Sequence, residues 1–130
     1  MHKDQNDTRP LVLIIDDDDA MRDAVVAALD GFGYRTIGAE DGAAALRLMA
    51  TEHPVALVLD LYMPEMDGFE TMSALKASAS KVPIVVISGG IAGEQGDLLP
   101  MALDFGAAAI LRKPFETAEL DAVLRKVIGR

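Results

Sequence analysis

Apolar residues in this chain are grouped in short unbroken blocks, and between the blocks they recur every three or four positions. Four blocks are nearly uninterrupted: Leu11-Val12-Leu13-Ile14-Ile15, Val55-Ala56-Leu57-Val58-Leu59, Ile84-Val85-Val86-Ile87 and Ala109-Ile110-Leu111. They are too short for ordinary helices and rich in branched side chains, so they predict fully buried strands at 11–16, 55–60, from Pro83 to 88, and 108–112. Tyr34-Arg35-Thr36-Ile37-Gly38 predicts a further, more exposed strand. The intervening stretches carry helical spacing. Met21, Val25, Ala28, Leu29 and Phe32 share one face of a helix over 19–31, with Gly31 and Gly33 as stop signals. Asp41-Gly42 opens a helix to about 51 that turns Ala45, Leu46 and Met49 inward, and Pro54 closes it. Phe69, Met72 and Leu75 belong to a helix over 68–78. Pro100 fits only a first helical turn, so the fourth helix is short, 98–105, and Gly106 ends it. Leu120, Val123, Leu124, Val127 and Ile128 mark the last helix, 116–129.

Strands alternating with helices predict an α/β fold, a doubly wound five-stranded parallel sheet with helices on both faces. The polar residues at the block ends then acquire meaning. The first block ends in Asp16-Asp17, the third strand in Asp60, the fourth in Ser88, and the fifth, two residues on, in Lys113. In an open parallel sheet, ligands bind beyond the carboxyl ends of the strands. Three carboxylates, a hydroxyl and an ammonium would meet there, a set suited to a metal ion and a phosphoryl group.

Length and composition narrow the choice. At 130 residues, 51% of them hydrophobic, the chain is sized for one domain with a full core. Residues 1–10 are polar, lack a signal-peptide core and read as a disordered tail ahead of a domain at 11–130. No apolar run is long enough to span a bilayer, so no membrane insertion is expected and a cytoplasmic location is the default. The absence of cysteine excludes disulfides, thiolate catalysis and zinc–thiolate sites. Twelve basic against 21 acidic residues give a net charge of −9, which argues against direct nucleic-acid binding. Part of that charge is the run Asp16-Asp17-Asp18-Asp19. A solvated helix start accounts for Asp18 and Asp19, which suit a helix N-terminus. It accounts less well for Asp16 and Asp17, which directly end a buried strand. The glycines at 89, 90 and 93 are not a P-loop, because no Gly-Lys-Ser/Thr follows. His2 and His53 have no partner spacing that suggests a metal site.

Ile14-Ile15-Asp16-Asp17, Val58-Leu59-Asp60-Leu61-Tyr62-Met63-Pro64-Glu65-Met66-Asp67-Gly68, Ile87-Ser88 and Lys113-Pro114-Phe115 stand in order, each at a strand end. Together they resemble the receiver domain of two-component response regulators, of the single-domain chemotaxis type, over residues 11 to 129. The resemblance implies a flavodoxin-like strand order 2-1-3-4-5. It implies that Asp60 is the nucleophile and phosphoacceptor. It implies a Mg²⁺ site in which Asp17 and Asp60 are direct ligands, Asp16 acts directly or through water, and the backbone carbonyl of Tyr62 adds another oxygen. Lys113, Ser88 and Gly89 would meet the phosphoryl group, with Lys113-Pro114 held cis. The implied donor is a sensor histidine kinase or a histidine phosphotransfer protein. The implied output is a downstream protein partner on the face formed by the fourth helix, fifth strand and fifth helix, where Leu98, Leu99 and Met101 are expected to be partly exposed.

The chain departs from that pattern at some positions. Where the family usually has an aromatic switch residue, three before Lys113, stands Ile110. Ser88 replaces the commoner threonine. The positions that tune loss of the phosphoryl group are Tyr62 and Gly90. With Ile110 in the aromatic's place, transmission is expected through the glycine-rich segment 89–97. Other readings compete. A haloacid-dehalogenase-like phosphatase would need a second aspartate two residues after Asp60, where Tyr62 stands. A flavin carrier would need a hydroxyl-rich loop where the four aspartates are. A pseudo-receiver would signal without phosphorylation. If the chain is complete, signalling runs through a bound partner; if it is a fragment, an output domain has been removed.

Overall fold

The computed structural model describes residues 7–61, 68–78, 81–89 and 99–129. The elements in chain order are β1 (Leu11–Ile15), α1 (Asp19–Gly31), β2 (Arg35–Ala39), α2 (Gly42–Glu52), β3 (Ala56–Asp60), α3 (Gly68–Ala77), β4 (Ile84–Ser88), α4 (Met101–Asp104), β5 (Ala109–Arg112) and α5 (Thr117–Ile128). The strands form one parallel sheet in the order β2-β1-β3-β4-β5, the doubly wound arrangement the pattern predicts.

Side chains alternate across the sheet, so each apolar block feeds two cores. Leu13, Ile15, Leu57, Leu59, Ile84 and Val86 face α2, α3 and α4, packing with Ala45, Met72, Leu75 and Ala102. Val12, Ile14, Val58, Val85 and Ile87 face α1 and α5, packing with Val25, Leu29, Leu120 and Leu124. Both faces of β1, β3 and β4 are covered, which is why those blocks are uninterrupted.

Helix starts follow local hydrogen-bonding chemistry. Asp18 caps α1, accepting from the backbone N–H groups of Ala20 at 3.0 Å and Met21 at 3.2 Å. Asp41 caps α2, accepting from Ala44 N–H at 2.8 Å. Glu116 and Glu119 form a capping box at α5. His53 ends α2 in the left-handed region.

Five expectations need correction. Val55, expected inside a buried strand, precedes β3 and is exposed. The block 109–111 is half-buried rather than buried, because β5 is an edge strand paired only with β4. The fourth helix begins at Met101, not 98: Pro100 takes the N-cap position, and Leu99 is buried rather than partly exposed. Tyr34 precedes β2 and is fully buried. Of the segment expected as a disordered tail, residues 7–10 lie along β2. Arg35 donates from its backbone to Pro10 O at 2.9 Å and from its side chain to Arg9 O at 3.0 Å, while Arg9 reaches Asp30 at 3.0 Å. Residues 1–6 lie outside the described residues, as do Tyr62, Gly90, Leu98 and the segment 90–97.

Tyr34 also shows how α5 is anchored. Its hydroxyl donates to Asp121 Oδ1 at 3.0 Å across 87 residues of sequence, and Arg125 donates to Asp121 Oδ2 at 3.0 Å. Asp121 lies on the buried side of an otherwise apolar helix face. Tyr34→Phe should therefore lower the unfolding free energy by about 1.5–3 kcal/mol, the value of a hydrogen bond to a charged acceptor. Urea denaturation checks this, and an unchanged midpoint would show that the bond adds nothing.

Candidate functional site

The parallel register brings the strand-end residues to one edge. Asp60 is the last residue of β3 and Ser88 the last of β4. Asp16 extends β1 by one position, donating its N–H to Ala39 O at 3.1 Å. Lys113 follows β5, with its N–H on Ser88 O at 2.8 Å. Leu61 N–H bonds Ile87 O at 2.9 Å, which carries the β3–β4 pairing past Asp60. The turn back into α3 is close-packed: a Cβ on Gly68 would lie 2.7 Å from Leu61 Cα, so only glycine fits.

Asp16, Asp17 and Asp60 each offer an oxygen, and these oxygens all lie within 4.8 Å of one another. Asp16 and Asp60 are buried and Asp17 is exposed. The Lys113 ammonium sits 3.6 Å from Asp60 Oδ2 and 3.9 Å from Asp16 Oδ2. Asp16 Oδ1 accepts from Asp18 N–H at 2.9 Å. Asp16 Oδ2 is buried with no hydrogen-bond partner, which is expensive for a carboxylate oxygen. Burial pushes the Asp16 carboxyl up to about 6, and the charges of Asp60 and Asp17 push the same way, against Asp18 N–H and Lys113. One ammonium does not neutralise three carboxylates at this spacing. A hard divalent cation would, and an all-oxygen cluster with one orphaned oxygen suits Mg²⁺. The residues present fit that ion.

Ser88 is fully buried at the same edge. Gly89 lies beside the Lys113 stem, with space for a Cβ 3.6 Å from Lys113 Cδ. The Lys113-Pro114 bond is cis. Ile110 packs onto the α2–α3–α4 core. The expected carbonyl ligand of Tyr62 lies outside the described residues. Two participants were not anticipated from the sequence. Arg22 donates to the Asp16 carbonyl oxygen at 2.6 Å and to Asp19 Oδ1 at 2.5 Å. Gly38 lies under the Arg22 stem. The available signal for Arg22 was its place one helical turn after Asp19.

The family model described as the response regulator receiver domain matches residues 12–125. The chain is 37% identical over 119 residues to the response regulator MprA of Mycobacterium ulcerans (strain Agy99), covering 92% of this chain and 50% of that protein. It spans about half the length of the curated relatives it matches. A putative response regulator from Chloroflexus aurantiacus superposes with a TM-score of 0.83 at 28% identity, covering 95% of this chain and 100% of the other. The receiver domain of the sensor histidine kinase PA1611 from Pseudomonas aeruginosa PAO1 superposes with a TM-score of 0.81 at 26% identity, covering 95% and 100%. That structure has a magnesium ion coordinated in its active-site cleft.

The Asp16 environment sets a pH dependence. Burial raises its carboxyl from the ordinary value of 3.8, held in the unfolded chain, to about 6 in the folded one. Between these values the folded state holds the extra proton, so the contribution is favourable at low pH and is lost as pH rises through about 6. In metal-free buffer, Asp16→Asn should gain in melting temperature relative to the native chain across that window. Thermal melts at a series of pH values check this; parallel curves would contradict it.

Proposed function

This chain belongs to the response regulator receiver domain family of two-component systems, and we propose that it is a phosphorylation-controlled signalling module whose phosphoacceptor is Asp60. The observation that carries the reading is the shared cluster: Asp60 within 4.8 Å of two further carboxylate groups and 3.6 Å from the Lys113 ammonium. In this reading the chain is a signalling domain rather than a turnover enzyme. Its partners are a sensor histidine kinase or histidine phosphotransfer protein as donor, and a downstream protein.

The Asp60 carboxylate attacks phosphorus. A bond forms between its oxygen and the phosphoryl group as the bond from phosphorus to the donor's imidazole nitrogen breaks, and the imidazole leaves with the electron pair. Lys113 offers its positive charge to the phosphoryl oxygens, a role supported by its 3.6 Å distance from Asp60 Oδ2. Ser88 would donate a hydrogen bond to one of those oxygens, with Gly89 as the adjoining backbone. Asp16, Asp17 and Asp60, with the Tyr62 carbonyl, would hold Mg²⁺. When bound, that ion supplies the remaining positive charge for the transferring group. A haloacid-dehalogenase-like phosphatase is disfavoured, since Tyr62 occupies the position of its second aspartate.

For output, Met101, Leu103 and Phe105 are exposed at 44%, 48% and 42%. Phe105, just after α4, sets its ring 4.7 Å from that of Phe69 on α3, which leaves Met101 and Leu103 of α4 as the apolar part of the proposed partner face. Buried Leu99 is not part of it. Ile110 takes the place of the aromatic switch residue, so transmission through the segment 89–97 remains our reading of how Ser88 is coupled to α4.

Acetyl phosphate with Mg²⁺ should add one phosphoryl group to the native chain, measured as the mass of a single phosphate. Asp60→Asn should remove that adduct. Equal phosphorylation of the variant would refute Asp60 as acceptor.

A further inference from the structure

We propose that Arg22 is a positioning residue for the acidic cluster, holding the Asp16–Asp17 peptide so that Asp17 is aimed at the shared cation. This rests on reading Asp16, Asp17 and Asp60 as a Mg²⁺ site. The carbonyl oxygen of Asp16 belongs to the planar group that precedes Asp17 Cα. Fixing that oxygen constrains the direction in which Asp17 leaves the strand end. Arg22 reaches back six residues from α1 and donates to that oxygen at 2.6 Å. Its other terminal nitrogen is held by Asp19 Oδ1 at 2.5 Å, so the guanidinium plane is set by two acceptors. The Arg22 side chain is mostly buried, at 18% exposure, whereas Asp19 is solvated at 80%.

Gly38 makes this placement possible. It lies on β2, in register with Ile14 of β1. A Cβ built there would lie 2.9 Å from Arg22 Cδ and 3.2 Å from Nε. The arginine stem thus crosses β2 at a position without a side chain. Strand β2, helix α1 and the end of β1 are tied together through one guanidinium. Its positive charge contacts the Asp16 carbonyl and the Asp19 carboxylate rather than the side-chain carboxylates of the cluster, so it orients the cluster without occupying the cation's place. The four consecutive aspartates then have separate roles: Asp16 is buried in the cluster, Asp17 is exposed and aimed, Asp18 caps the helix, and Asp19 anchors Arg22.

The test is calorimetric titration with Mg²⁺ of the native chain, Arg22→Met, Arg22→Lys and Gly38→Ala, each with a metal-free thermal melt. Arg22→Met keeps the apolar stem and removes the donors. Gly38→Ala keeps the arginine and displaces it. Both should weaken Mg²⁺ binding by about tenfold, the usual effect of losing a group that orients a metal ligand, while Arg22→Lys recovers part of the loss. A second readout separates positioning from general damage. Phosphorylation by acetyl phosphate should need more Mg²⁺ for half-saturation in both variants, yet return to within about twofold of the native rate at saturating Mg²⁺. Native-like Mg²⁺ affinity in Gly38→Ala or in folded Arg22→Met would overturn the proposal, as would a rate that saturating Mg²⁺ fails to restore. A native chain that binds no Mg²⁺ would instead overturn the metal reading on which it rests.

Discussion

Charge repulsion among three carboxylates governs this molecule. Asp16, Asp17 and Asp60 bring oxygens within 4.8 Å of one another at the carboxyl edge of a parallel sheet, two of them on buried residues. Like charges at that spacing, partly removed from water, are costly unless compensated. Among the described residues one ammonium, Lys113, lies nearby, and a buried Asp16 oxygen has no hydrogen bond. The cluster is therefore poised to take up a positive ion and, in the proposed function, a phosphoryl group that brings its own charge to be balanced. Stability is given up at this edge for that capacity, and the fully covered strands β1, β3 and β4 offset the loss.

The sheet makes the cluster possible by topology. Four strands end at one edge in the order β1-β3-β4-β5, so residues far apart in sequence become neighbours. Backbone bonds past the strand ends, Leu61 to Ile87 at 2.9 Å and Lys113 to Ser88 at 2.8 Å, keep the edge rigid where the side chains diverge. Packing from behind completes it. Gly68 lets α3 approach Leu61, and Gly38 lets Arg22 cross β2 to the end of β1. Gly68 leaves room for the Leu61 backbone and Gly38 for the Arg22 stem, space that a side chain would take.

Much of this could be read from the chain. Uninterrupted branched runs at 11–15, 55–59 and 84–87 predicted buried strands because burial on both faces removes any polar alternation, and only Val55, ahead of β3, departs from this by being exposed. The strand-end positions of Asp16, Asp60, Ser88 and Lys113 follow from those runs. What the pattern missed depends on three-dimensional environment. Ala109-Ile110-Leu111 has the composition of a buried run, yet its edge position leaves it half-covered. Tyr34 looked like part of an exposed strand because nothing local reveals a partner 87 residues away in Asp121. The hydrophobic pattern does not single out Arg22, and only the fold turns it back toward Asp16.

The most direct test of the account is the pH dependence of Mg²⁺ affinity, measured by calorimetry in buffers of different ionisation enthalpy. If the cation relieves repulsion in a cluster whose Asp16 carboxyl is pushed up to about 6, binding must displace that proton. Affinity should then rise as pH increases through about 6, with proton release on binding that fades at higher pH and disappears in Asp16→Asn. Affinity independent of pH across that range, with no proton released, would contradict the account.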